Sequence, residues 1–202
     1  PSILKFIGHC VLDRLAQAFH LIVTEFASNG SLADYFGIQN SQENDRKKQE
    51  EEEEENKSLS FTQKFIIIYG IASGMSYLHL NDILHRDLKP GNIYLDDSLH
   101  PKISGFNISK EMNVKKIKPN KSIKGTPIYI APEIYLHKGY CKANDVYSFA
   151  LIVYELLTGR KPFSTISNPK EILTEIVEQN NRPQFTSSAE IPEKYRDLIE
   201  RC

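Results

Sequence analysis

The side chains best equipped for chemistry stand together in the run His85-Arg86-Asp87-Leu88-Lys89-Pro90-Gly91-Asn92. Asp87 offers a carboxylate that can accept a hydrogen bond or a proton from a hydroxyl. Lys89, two positions on, brings a point positive charge suited to a developing oxyanion. Asn92 adds an amide oxygen, the kind of hard donor that magnesium takes. The blander role for Asp87 is a loop carboxylate capping backbone amides. Farther along, Gly105-Phe106-Asn107 begins with a residue that has no side chain to lend to any site. Asn107 tolerates a positive φ better than most residues and is expected to take a glycine-like conformation.

These residues need a frame. Ile3 to Val11 and Phe19 to Phe26 read as strands, rich in β-branched and aromatic side chains. Ser28-Asn29-Gly30-Ser31 breaks the pattern before a short helix over Leu32 to Phe36. Gln39 to Ser58 is polar throughout, with Arg46-Lys47-Lys48 leading into Glu50 to Glu55. Like charges that dense repel one another and bury nothing, so a solvated, disordered insert is expected at 39–58, with an acidic docking tail as the functional alternative. Ser60 and Gln63 form a capping box for a helix ending near Asn81, with Ile68, Ile71, Ala72, Met75 and Leu78 at helical spacing. Ile93-Tyr94-Leu95 and Pro101-Lys102-Ile103 read as short strands joined by an Asp96-Asp97 turn. Asp145 to Thr158 is apolar nearly all round and closes on Gly159, the pattern of a central core helix. Asn168-Pro169 opens another helix, burying Ile172, Leu173, Ile176 and Val177. Strands first and helices after predict an α+β domain, mainly helical, with strands at its front edge.

The totals of the 202-residue chain are those of an ordinary soluble domain, 40% hydrophobic and 25% charged. A formal net charge of -1 gives no bias toward nucleic acid. Cys10, Cys141 and Cys202 are too widely spaced for a zinc site or a disulfide framework. With no apolar run long enough to span a bilayer and no signal-peptide shape, an intracellular, cytoplasmic setting is expected. The start at Pro1 and the end within an amphipathic pattern suggest a fragment.

The octet at His85 to Asn92 resembles the catalytic loop of protein kinases. Other landmarks of that family follow in its order: Thr24-Glu25-Phe26-Ala27 like a hinge, Gly105-Phe106-Asn107 where the family reads Asp-Phe-Gly, Gly125 to Glu133, and Asp145 to Phe149. The resemblance implies a kinase-like fold, with residues 1–27 as the end of the N-terminal lobe and hinge and 28–202 as the helical C-terminal lobe. It implies ATP and Mg²⁺, and phosphate transfer to protein hydroxyls. Asp87 would orient the substrate hydroxyl, Lys89 would sit by the transferred phosphoryl group, and Asn92 would be a metal ligand. Thr24, Glu25 and Ala27 at the hinge and Tyr94 beneath the base would contact the nucleotide. Phe106 would stack with His85 and Phe6 in an internal spine anchored by Asp145. In the activation segment Ser122 is a candidate phosphosite with Arg86 as partner, and Thr126 belongs to the segment before Ala131-Pro132-Glu133. Glu133, whose family partner is an arginine in a later helix, is expected to lack one here.

Lys89 and Thr126 lean toward serine/threonine kinases, and the wording of the hinge and of Asp145 to Phe149 toward their tyrosine-kinase-like group. Gly105 opposes simple catalysis, because the family's aspartate there bridges metal and phosphates. Two readings follow: a kinase acting on protein substrates, or an impaired pseudokinase that scaffolds or controls a partner kinase.

Overall fold

The computed structural model describes residues 2–14, 17–37, 59–112, 125–164, 166, 168–185 and 191–201. The Glu-rich insert, Ser122, Cys202 and most lysines of the activation segment lie outside the described residues.

Strands β1 (Phe6–Arg14) and β2 (Gln17–Thr24) form an antiparallel hairpin running from Phe6 opposite Thr24 to Arg14 opposite Gln17. Strand β1 starts later than the sequence pattern predicts because the residues before it are already committed. Leu4 donates to the Ile103 carbonyl at 2.9 Å, and Ile103 donates to the Ser2 carbonyl at 2.7 Å. The hairpin leaves Phe6, Ile7, Val11, Ile22 and Val23 exposed.

Helix α1 (32–37) is capped by Ser31, whose hydroxyl and amide both donate to Asp34 Oδ2 at 2.7 and 2.9 Å. The Ser31 hydroxyl bond, then its amide, holds the Asp34 carboxyl below its ordinary value. Helix α2 (Phe61–Leu80) opens on the expected capping box: Gln63 N–H donates to Ser60 Oγ at 3.2 Å, and Ser60 N–H to Gln63 Oε1 at 2.8 Å. Its buried face includes Gly70 and Gly74 as well as Ile67, Ile71 and Leu78. The two glycines bring the helix hard against a β-ribbon, since a Cβ on Gly74 would lie 2.6 Å from Ile103 Cδ1.

After α2 comes the two-residue strand β3 (Ile83–Leu84), then that ribbon, β4 (Ile93–Leu95) against β5 (Pro101–Ile103). Period-two alternation puts Ile93, Leu95 and Ile103 at 0% exposure toward α2, while Tyr94 and Lys102 stand opposite one another on the other, half-buried face. Strand β6 (Lys110–Glu111) returns to pair with β3.

Beyond the short helix α3 (Pro132–Tyr135), helix α4 (Lys142–Thr158) runs through the core, with Leu151, Ile152, Val153 and Leu156 at or below 1% exposure. It begins earlier than its apolar pattern suggests, because Asn144 Oδ1 accepts the Cys141 amide at 2.6 Å and caps the first turn. It ends on Gly159 at φ 66°, as expected. Helix α5 (Pro169–Leu173) passes into a π-turn over Thr174–Glu178, where Ile176 is the fully buried member of the predicted face and Ile172, Leu173 and Val177 are half-buried. Helix α6 (Glu193–Arg201) lays Tyr195 on Phe65 of α2, ring centroids 5.1 Å apart.

Candidate active site

The site lies on the loop between β3 and β4, and one buried carboxylate shapes that loop. Asp145, 2% exposed on the first turn of α4, accepts the His85 amide at 3.0 Å and the Arg86 amide at 2.9 Å. Its Oδ2 also meets His79 Nε2, at the end of α2, at 2.9 Å. Arg86 is thereby held at φ 70°, a conformation that costs a non-glycine residue energy and persists because its surroundings fix it.

His85 is 0% exposed, and its Nε2 lies 2.7 Å from the Ser104 carbonyl. A carbonyl only accepts, so Nε2 carries the proton and Nδ1 is free to accept the Asp87 amide at 3.3 Å. That is a neutral imidazole, and burial pushes its pKa down. The ring meets Phe106 with centroids 5.2 Å apart.

Asp87 Oδ2 lies 3.1 Å from Lys89 Nζ. The same ammonium donates to Thr126 Oγ1 at 2.8 Å, tying the loop to the segment ahead of α3. Asn92 turns its amide nitrogen to Asp87, donating to the backbone carbonyl at 2.6 Å and to Oδ2 at 3.1 Å. Across from it stands Gly105 at φ 83°. Asp87, Lys89, Asn92 and Thr126 thus form one connected cluster.

This donor set does not fit magnesium. The ion takes oxygen ligands in a near-octahedral shell, usually with one or two carboxylates. Here Gly105 has no side chain, the Asn92 amide is turned nitrogen-first to Asp87, and the Asp87 charge is already matched by Lys89. Among the described residues no three His, Cys, Asp or Glu side chains are grouped to hold a metal.

At the hinge, Glu25 faces inward. Its Oε1 accepts the Lys5 amide at 2.8 Å and its Oε2 lies 3.4 Å from Lys102 Nζ, while its own amide donates to the Lys5 carbonyl at 2.9 Å. Thr24 is exposed at the end of β2, and the Ala27 carbonyl closes a turn by accepting Gly30 N–H at 3.3 Å. Tyr94 lies near this turn through a bridge to Ser31.

Three sequence-based expectations are corrected here. Phe6 does not join the spine: it is 61% exposed on the solvent-facing hairpin, and among the described residues no aromatic contact reaches it. The positive φ belongs to Gly105 itself, whereas Asn107 sits within the 3₁₀ turn Phe106–Ile108. Glu133 has a partner, because Asn144 Nδ2 donates to its Oε1. Arg86 lays its guanidinium 4.2 Å over the Tyr140 ring, with Nε buried and, among the described residues, without a hydrogen-bond partner.

A protein kinase domain model matches residues 1–202. The chain belongs to the protein kinase family. It is 38% identical over 164 residues to cysteine-rich receptor-like protein kinase 25 of Arabidopsis thaliana, covering 79% of this chain and 22% of that protein. It is 29% identical over 202 residues to serine/threonine-protein kinase STY17 of the same plant, covering 100% of this chain and 31% of the relative. Dual specificity protein kinase shkB of Dictyostelium discoideum is 30% identical over 208 residues, covering 100% and 28%. The chain spans less than a third of the length of these curated relatives. Its fold is that of a kinase domain, mixed helix and sheet, and no helix among the described residues is long and apolar enough to cross a membrane.

Sequence reasoning missed His79, the Tyr129 hydroxyl that donates to buried Glu155 at 2.6 Å, and the Tyr140 platform for Arg86. Spacing within one element could not reveal them, since each meets a partner on a distant part of the chain.

Proposed function

We propose that this is a serine/threonine-type kinase domain, of the tyrosine-kinase-like group, whose phosphoryl transfer is impaired and whose retained fold acts on a protein partner such as another kinase. Gly105 carries this reading. The position that should supply a metal-binding carboxylate has no side chain, and Asn92 points its nitrogen at Asp87. The remaining parts suit an older catalytic role. Asp87 would orient a substrate hydroxyl, Lys89 would bring positive charge, and Thr126 would hold Lys89. Thr24, Glu25, Ala27 and Tyr94 would border an adenine base, with Arg86 near the activation segment. ATP is the nucleotide this arrangement descends from binding, and proteins are the substrates or partners.

Loss of one preorganised electrostatic group costs on the order of 10²–10³ in rate. The test is phosphate transfer from ATP with Mg²⁺ to serine- and threonine-containing peptides, beside an Asp87→Asn variant. Rates within about tenfold of that variant are expected. Turnover about 10³ or more above it would overturn the impaired reading in favour of an active enzyme.

A further inference from the structure

We propose that His9 and His20, facing one another across the β1–β2 hairpin, form a clip for a divalent transition-metal ion of the zinc type. The clip uses none of the residues around Asp87, and its test succeeds or fails whatever the phosphate-transfer assay gives.

Strand register brings the pair together. His9 of β1 stands opposite Ile22 of β2, and Val11 stands opposite His20. The two histidines are therefore diagonal neighbours, and the pleat turns both to one face with Val11 and Ile22. Their rings lie nearly parallel, with 12° between planes and 5.8 Å between centroids. His9 Nε2 comes within 3.5 Å of His20 Nδ1, and both side chains are exposed. That is long for a hydrogen bond, which settles at about 3.0 Å. It is close to the ~3.3 Å that two zinc–nitrogen bonds of about 2.0–2.1 Å span at a tetrahedral angle. Among the described residues, no other hydrogen bond or ion pair engages either ring.

The donor type selects the ion. Neutral imidazole suits zinc, copper and nickel, whereas magnesium takes oxygen ligands. In the pair as it stands, one facing nitrogen carries the proton that the other accepts. To take a metal, that ring moves its proton to its outward nitrogen, leaving His9 protonated on Nδ1 and His20 on Nε2. Both lone pairs then face the gap, and neutral rings release no proton on binding. Two protein ligands are fewer than the four of a structural zinc site, so water completes the shell and the ion exchanges. A metal bridging β1 and β2 also steadies a two-stranded ribbon, an element that is marginal by itself in water.

The experiment is calorimetric titration of the full chain with Zn²⁺, thiols kept reduced, beside His9→Ala, His20→Ala and Cys10→Ser. One ion per chain should bind with a Kd of about 100 μM or tighter, and each histidine substitution should weaken it by about tenfold or more. Cys10 alternates to the opposite face, so Cys10→Ser should change the Kd by less than about threefold. Excess Mg²⁺ should not displace the ion. Both histidines are exposed, so the alanine variants should fold, with a metal-free Tm within about 2 °C of the parent. In the parent, one equivalent of Zn²⁺ should shift the NMR ring signals of His9 and His20 together. The β1 and β2 amides should then exchange about tenfold more slowly. Zinc uptake that is unweakened in either histidine variant, or that vanishes in Cys10→Ser, would overturn the clip. So would unmoved His9 and His20 signals, or no binding below about 1 mM.

Discussion

Tyr129→Phe is the change whose cost can be worked most directly from the structure. The Tyr129 hydroxyl donates to Glu155 Oε2 at 2.6 Å, and the two residues are 7% and 6% exposed. Removing the oxygen keeps the ring and its packing, so no large cavity opens. What remains is a buried carboxylate short of a donor, a loss of about 1.5–3 kcal/mol for a hydrogen bond to a charged group. At about 2–4 °C per kcal/mol for a domain of this size, Tm should fall by roughly 3–12 °C. The pH dependence sharpens the test. Burial raises the Glu155 pKa above 4.5, while the Tyr129 bond pulls it back. The native state thus binds this proton more tightly than the unfolded chain does, and the stability it contributes is lost as pH rises from 4.5 toward the raised folded value. Phenylalanine removes the group that favours the carboxylate and raises the folded value further. The gap between variant and parent should therefore widen as pH rises from 4.5 through the raised folded values. Thermal denaturation of both proteins across that range is the assay. A gap that stays constant with pH, or a Tm loss under about 1 °C at the upper end, would refute the reasoning.

Other outcomes follow from the same geometry. Asp145→Ala strips the acceptor from the His85 and Arg86 amides and from His79, and should cost about 3–5 kcal/mol in a urea titration, with Asp145→Asn recovering part of it. Burial lowers the His85 pKa below 6.5, so the folded state resists its protonation and this residue's contribution is lost as pH falls from 6.5 toward the lowered value; its NMR ring signals should not titrate at 6.5. Gly159→Ala meets nothing within 4 Å and should pay only for φ 66°, about 1 kcal/mol by chemical denaturation. Gly74→Ala should cost about 1–3 kcal/mol by the same measurement, because its Cβ would press on Ile103.

What could be read in the sequence was the local part. The Ser60 and Gln63 cap, the β4–β5 ribbon and the Gly159 stop each depend on residues a few positions apart, and each takes the expected form. The octet from His85 to Asn92 announced the site through its residue types. Its arrangement was not legible, because the Asn92 amide is turned by its bonds to the Asp87 carbonyl and carboxylate, which residue spacing does not encode. Glu133 was misjudged for a related reason: its partner, Asn144, was known to the sequence only as an unremarked polar residue near a helix start. Strand β1 was placed too early because apolar alternation runs through Ile3 without showing that Ser2 to Leu4 are spoken for by Ile103.

The position of Asp145 has a consequence for how the domain opens. Its carboxylate is shared by the last turn of α2, the loop at His85 and Arg86, and the first turn of α4, so none of these can detach without stranding a buried charge. Amide hydrogens in loops ordinarily exchange with solvent through small local fluctuations. Those of His85 and Arg86 should instead exchange on the timescale of the α4 amides, as members of the same cooperative unit. The loop is then kept in shape by the core beneath it, through a carboxylate that belongs to α4 rather than to the loop itself.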